Sequence, residues 1–273
     1  MRRLIALLAL LPTVASSQAV CSAAAQPETT CSAVEQSITI TSACECVASV
    51  AAPAGPFGGH ATLADGLVSY WPLDEESGVR ADLVGSNDLT DNNTVGFASV
   101  TGPPNFPAGK AASFVAANSE YLSTANNSSF NVASTGFTMN FWYKSSTGDP
   151  QISKDDGGSE RSWTLASGTF YVFQTDGIFS SVVKSVVDTN WHMVTIWYDP
   201  TELKASACLD AGAVSQGSAI ASMQDQTSPF WLGRFSTSYS NGLTGHVGFW
   251  SRVLTAQERT DLYAAGAGLF YED

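Results

Sequence analysis

The chain runs to 273 residues, 44% of them apolar and 11% aromatic, with 12 Lys and Arg set against 25 Asp and Glu for a net charge of −13. So acidic a surface repels nucleic-acid backbones and anionic lipid, which excludes binding to either and speaks against a phosphate site. It is compatible with cation binding or simply with solubility.

The chain opens with Arg2 and Arg3, an apolar run from Leu4 to Leu11 and the small-x-small triplet Ser17-Gln18-Ala19, the layout of a secretory signal over residues 1–19. That run is far shorter than the ~20 apolar residues needed to cross a bilayer, so the mature chain is expected to be secreted, without membrane insertion. Cys21, Cys31, Cys44 and Cys46 follow. In an oxidising compartment they can form two disulfides in three pairings, and Cys44 and Cys46 could hardly bridge each other. A zinc site is the alternative, but no histidine or Cys-x-x-Cys pair accompanies them. Cys208 stands alone among small and apolar neighbours and reads as an inert buried thiol. Residues 20–64 read as a Cys-containing leader and linker, closing on Pro53-Ala54-Gly55-Pro56-Phe57-Gly58-Gly59.

From Asp65 the texture changes. Short β-branched and aromatic runs recur at 66–71, 111–114, 137–144, 162–166, 169–174, 191–198, 204–209, 230–233 and 242–250, parted by Gly, Asn, Asp and Pro clusters. This pattern predicts an all-β, two-sheet antiparallel sandwich over residues 65–273. Alternation calibrates two runs. Phe137, Met139, Phe141 and Tyr143 share one face, and so do His192, Val194, Ile196 and Tyr198; these are read as core. Trp142 and Trp197 then point the other way, onto a sheet surface. The chain closes with a short helix, because Thr255 and Glu258 are spaced as a capping box and Leu254, Leu262 and Tyr263 give it an apolar side.

The stretches Leu67-Val68-Ser69-Tyr70-Trp71-Pro72-Leu73-Asp74, Gly109-Lys110-Ala111-Ala112-Ser113-Phe114, Phe137-Thr138-Met139-Asn140-Phe141-Trp142, Trp191-His192-Met193-Val194, Leu209-Asp210-Ala211-Gly212 and the tail from Gly242 stand in a telling order. Together they resemble the laminin-G-like jelly-roll family of the concanavalin A-like lectin and glucanase fold, over about 205 residues that exclude the leader. The resemblance implies a jelly roll with one convex and one concave sheet. It also implies a non-catalytic module of a secreted or surface protein that binds glycans or proteins, often with a structural calcium ion. Many relatives carry an Asp-Glu pair in the last strand where this chain has Gly245-His246. A calcium site would therefore fall to Asp74, Asp82 and loop carbonyls.

The fold also hosts glucanases, which need two carboxylates about 5–5.5 Å or 6.5–9.5 Å apart. The glucanase string Glu-x-Asp-x-Glu is absent. Asp74-Glu75-Glu76 and Asp155-Asp156 with Glu160 sit in predicted loops, and consecutive acids on a strand would face opposite ways. His60, His192 and His246 have no Gly-x-Ser-x-Gly elbow to serve, and His192 reads as a packed histidine of its strand. No enzyme is expected.

Binding is better supported. Trp142, Trp197, Trp163 and Tyr171 can stack on sugar rings, and the polar loop Ser145 to Arg161 offers Asp149, Asp155 and Asp156 to hydroxyls. Asn92, Asn126 and Asn127 each open an Asn-x-Ser/Thr sequon. The expected function is a secreted carbohydrate-binding module whose partner is an extracellular glycan or surface protein. A homo-oligomeric structural or assembly subunit of a surface appendage is the alternative, and a glycoside hydrolase a distant third.

Overall fold

The computed structural model describes residues 56–101 and 106–272, all within the unit Gly55–Asp273. The signal peptide and Cys21, Cys31, Cys44 and Cys46 lie outside the described residues. Strands come in the order β1 (Leu67–Trp71), β2 (Thr90–Asn92), β3 (Gly96–Ser99), β4 (Lys110–Phe114), β5 (Tyr121–Thr124), β6 (Phe137–Lys144), β7 (Ile152–Asp155), β8 (Arg161–Ala166) and β9 (Thr169–Phe173). They continue with β10 (Phe179–Val183), β11 (His192–Asp199), β12 (Lys204–Leu209), β13 (Ser215–Gln216), β14 (Phe230–Leu232), β15 (Arg234–Phe235), β16 (Ser238–Tyr239) and β17 (Gly242–Trp250). Helix α1 (Ala61–Ala64) precedes them and α2 (Ala256–Tyr263) follows.

The strands form two large antiparallel sheets. One has eight strands, ordered β13-β12-β11-β6-β17-β4-β3 with β1 also on β17; the other has seven, ordered β10-β9-β8-β7-β14-β5-β2. The residues that alternation assigned to the core meet between them, except His192, which is only half-buried because Asp188 and Asp210 hold its ring at the strand end. Phe137, Met139, Phe141, Tyr143, Val194, Ile196 and Tyr198 are buried against Trp163, Leu165, Phe170, Val172, Phe230 and Leu232. Phe137 stacks on Phe249 with ring centres 5.5 Å apart, and Phe130 on Phe230 at 5.4 Å. Each such buried ring contributes about 1.5–3 kcal/mol of transfer free energy, and ring pairs add about 0.5–1.5 kcal/mol more.

A second apolar cluster lies on the opposite face of the eight-stranded sheet. Tyr70, Trp142, Met193 and Trp250 are covered there by Phe57, Leu63, Phe106, Leu254, Leu262 and Phe270. Residues 56–64, read above as linker, therefore belong to the domain. Trp250 Nε1 donates to the Leu63 carbonyl at 2.7 Å, and Arg252 donates to the carbonyls of Thr62 and Asp65. The helix that closes the chain starts as expected: Glu258 N donates to Thr255 Oγ1 at 3.2 Å, and Thr255 N donates to Glu258 Oε2 at 2.8 Å.

Strand β17 organises the sheet. Along one edge it pairs first with β4 through Gly242 to Thr244 and then with β1 through Val247 to Trp250, while β6 takes the other edge. The changeover is a bulge between Gly245 and Gly248, where His246 adopts φ +50° and its N–H donates to the Pro72 carbonyl at 3.0 Å. A Cβ on Gly245 would stand 2.6 Å from the Phe106 ring, so only glycine lets that ring lie on the strand.

Candidate binding site

Three of the four aromatic residues expected to meet a ligand are covered. Trp142 and Trp197 do point away from the inter-sheet core, as alternation required, but that face is not open. Trp142 is 3% exposed and stacks on Tyr263 of α2, with ring centres 6.0 Å apart. Trp197 is 4% exposed beneath the Arg259 guanidinium, 4.4 Å from its ring centre. Trp163 lies in the inter-sheet core, 5.0 Å from the Phe137 ring. Their role is packing.

The outer face of the seven-stranded sheet is different. Direct cross-strand pairing sets Ser123, Trp231, Ser153, Thr164, Tyr171 and Ser181 side by side across it. The hairpin β15–β16 lies against β7 and β8 and divides this face. Ser153 Oγ donates to the Arg234 carbonyl at 3.0 Å, and Gly157, at φ +79°, leaves just 3.0 Å between its Cβ direction and the Ser236 side chain. On each side of the hairpin an arginine sits among aromatic rings.

On the β8–β9 side, the Arg161 guanidinium stands 3.8 Å from the Phe173 ring centre and its Nε donates to both oxygens of Asp155, at 3.1 and 3.0 Å. Burial pushes the Asp155 carboxyl pKa up, against the Gly157 N–H and Arg161, which favour the anion. Phe173 adjoins Tyr171 and Phe179, the last 48% exposed. Beside this group is a cavity of about 270 Å³ walled by Arg161, Phe173, Gln174, Thr175, Gln224 and Gln226. Gln224 Nε2 donates to the Arg161 carbonyl at 2.7 Å. The fully buried Lys154 supports the same wall, its Nζ donating to the Gln226 carbonyl while burial lowers its pKa. Asp156 shapes the rim, accepting from Gly158 N at 2.7 Å and Glu160 N at 3.2 Å. Tyr171, Asp155 and Asp156 are thus brought to one place, although Asp155 acts through Arg161.

On the β5–β14 side, the Arg234 guanidinium lies 4.3 Å from the Trp231 ring centre, 4.8 Å from Tyr121 and 5.8 Å from Tyr239. Its Nε donates to the Ser236 carbonyl at 2.8 Å. All four side chains are half-buried.

The remaining expected residues serve local structure. Asp149 accepts from Val186 N at 2.7 Å and Ser185 Oγ at 3.2 Å, away from Asp155 and Asp156 in the hydrogen-bond network. Asp82 accepts from the backbone N–H groups of Tyr70, Val84 and Asn87 at 3.0 to 3.1 Å, the geometry of a loop clamp. Asp74 is half-buried, and among the described residues no three His, Cys, Asp or Glu side chains converge as a metal site. Asn92 Nδ2 donates to Thr90 O and Ser123 Oγ, Asn127 caps the turn at Ser129, and Asn126 is half-buried. Cys208 is buried and its thiol pKa raised by burial. His192 is held at both ring nitrogens, by Asp210 at 2.7 Å and Asp188 at 2.9 Å.

Sequence reasoning missed Arg161, Phe173, Phe179 and the whole Arg234 group. One signal was readable. In Thr169-Phe170-Tyr171-Val172-Phe173, alternation puts two aromatic rings on the face opposite Phe170 and Val172.

The comparisons agree with this architecture. A family model described as the concanavalin A-like lectin/glucanases superfamily matches residues 116–258. Among solved structures, the chain is similar to the binding domain of Paraclostridial Mosquitocidal Protein 1, with 14% identity and a TM-score of 0.59 over 74% of this chain and 53% of that one. It is also similar to the receptor binding domain of botulinum neurotoxin D, with 10% identity and a TM-score of 0.55 over 74% and 53%. A Trypanosoma rangeli sialidase gives 14% identity and a TM-score of 0.50 over 72% and 32%. At these identities the likeness is one of fold, and the chain spans about half the length of the toxin domains it matches. No curated protein sequence matches it. On the strength of the family match and the two-sheet architecture, the chain belongs to the concanavalin A-like lectin/glucanases superfamily.

Proposed function

We propose that this chain is a secreted, non-catalytic module that binds an extracellular glycan through the outer face of its seven-stranded sheet. The observation that carries the reading is the cavity of about 270 Å³ where Phe173 and Arg161 meet the amides of Gln174, Gln224 and Gln226, next to the half-buried ring of Tyr171 and the exposed ring of Phe179. Apolar sugar faces pack on rings, and amide side chains both donate to and accept from sugar hydroxyls. The similar botulinum neurotoxin domains are described in complex with SialylT, with N-acetylneuraminic acid and with rat synaptotagmin II, which supports a glycan or surface-protein partner here. A glycan array probed with the full chain, with and without calcium, tests the reading. Binding that is lost in Tyr171→Ala and Gln224→Ala supports it, and silence on every glycan in both conditions overturns it.

A second reading, an assembly subunit, draws on one observation. Ile178, Phe179 and Val183 are 53, 48 and 69% exposed on and beside the edge strand β10, an apolar strip of the kind that copies of a chain bury against each other. Size-exclusion chromatography with and without reductant decides it, and a strict monomer in both conditions removes it.

A further inference from the structure

The Arg234 group has the makings of a second subsite with its own selectivity. In a chain this acidic, arginines tend to find carboxylates: Arg80 faces Glu75, Arg161 pairs with Asp155, and Arg252 with Glu258. Arg234 has no carboxylate partner among the described residues, and its one hydrogen bond uses Nε, leaving both terminal nitrogens without a protein acceptor. It is nevertheless held firmly. Trp231, Tyr121 and Tyr239 surround the guanidinium, and a cation against aromatic faces gains about 0.5–2 kcal/mol per favourable contact. The aromatic walls shield the guanidinium in part from water without neutralising its charge, so an incoming anion meets a pre-oriented donor fork. Beside the group, the half-buried Ser123 pairs directly with Trp231 across the sheet.

We infer that the Arg234–Trp231–Tyr121–Tyr239 group is an anion-reading subsite that selects saccharides bearing an acidic substituent, a carboxylate or a sulfate ester, at one sugar of the bound chain. The inference rests on the glycan reading above and deepens it. The cavity at Arg161 offers no equivalent, because Asp155 already neutralises that guanidinium. The terminal nitrogens of Arg234 take the acidic group in a forked pair of hydrogen bonds, and an exposed ring edge or face packs against the sugar that carries it. One fixed cation on a surface of net charge −13 reads a single anionic group and gains little from a dense polyanion.

The test is isothermal titration of the full chain with three probes: galacturonate oligosaccharides, the same oligosaccharides after carboxyl reduction, and a sulfated galactan oligosaccharide beside its desulfated form. We expect the wild type to bind at least one acidic probe tenfold or more tightly than its neutral counterpart, and the arm that shows the difference identifies the anion. Arg234→Gln abolishes that difference, so that the acidic and neutral forms bind the variant with equal affinity. Arg234→Lys restores only part of it, since an ammonium neither stacks nor forks. Equal affinity for acidic and neutral forms in the wild type, a measurement that needs no variant, overturns the subsite while leaving the glycan reading standing. No binding to any probe, acidic or neutral, overturns both.

Discussion

The Tyr70 hydroxyl lies 2.9 Å from His246 Nδ1, and the other ring nitrogen of His246 is buried with no partner among the described residues. Phe106 and Phe270 close over the imidazole, with ring centres 4.6 and 4.3 Å away. Burial therefore drives the His246 pKa down from 6.5 to about 3. Because the folded-state pKa is the lower one, the neutral histidine contributes stability that is present above pH 6.5 and is lost as pH falls towards 3. The contribution amounts to several kcal/mol, at about 1.4 kcal/mol per pKa unit. Urea unfolding at pH 7 and pH 4.5 should show a steep loss in the wild type and a shallower one in His246→Asn, a residue that tolerates the left-handed backbone. A wild-type stability that is flat over that range would remove the assignment.

His192 acts in the opposite sense. Its partial burial pulls the pKa down, but hydrogen bonds to Asp188 and Asp210 outweigh this and hold it above 6.5. The imidazolium thus contributes stability that is present below pH 6.5 and is lost as pH rises through its folded-state pKa. His192→Gln should lower the melting temperature at pH 5.5 and change it little at pH 9. An NMR titration of the His192 ring supplies an independent check, and a midpoint below 6.5 would contradict the geometry.

Arg252 and Glu258 join the last strand to α2. Hydrogen bonds from Arg252, with further help from Thr255, hold the Glu258 carboxyl down at about 2. Thr255→Ala should cost about 0.5–2 kcal/mol as a lost cap. Glu258→Gln should cost more at pH 7 than at pH 2, since the ion pair is lost as pH falls through the folded-state value. The two substitutions disrupt one network, so their costs should not add. Chemical denaturation of the single and double variants measures the coupling.

Aromatic residues on the two faces should separate cleanly. Trp142→Ala removes a ring buried against Tyr263 and should cost about 3–5 kcal/mol without altering the ligand face. Tyr171→Ala, on the open face, should change stability by only about 0.5–1 kcal/mol while weakening glycan binding at least tenfold. Parallel melting curves and binding isotherms decide between them. A stable Trp142→Ala protein with lost binding would reverse the roles assigned to the two faces.

Much of this architecture was legible before any coordinate. Phe137, Met139, Phe141 and Tyr143 announced a strand with one buried face, and Thr255 with Glu258 announced the start of α2, because both are local patterns with a fixed period or spacing. The candidate site was legible only in fragments. Tyr171, Asp155 and Asp156 were found as types suited to binding, but Arg161 and Arg234 were not. Each acquires its meaning from rings on other strands: Phe173 for one, and Tyr121 and Trp231 for the other.

The tryptophans draw the boundary between the two kinds of information. The sequence alone determined that Trp142 and Trp197 face away from Phe141 and Ile196, since successive side chains on a strand point to opposite sides. Only the tertiary structure decided that α2, with Tyr263 and Arg259, lies over them, while the outer face of the seven-stranded sheet bears merely a short hairpin. Alternation is a property of one strand. Whether a face is covered depends on where distant segments come to rest, and that is settled by the packing of the whole chain.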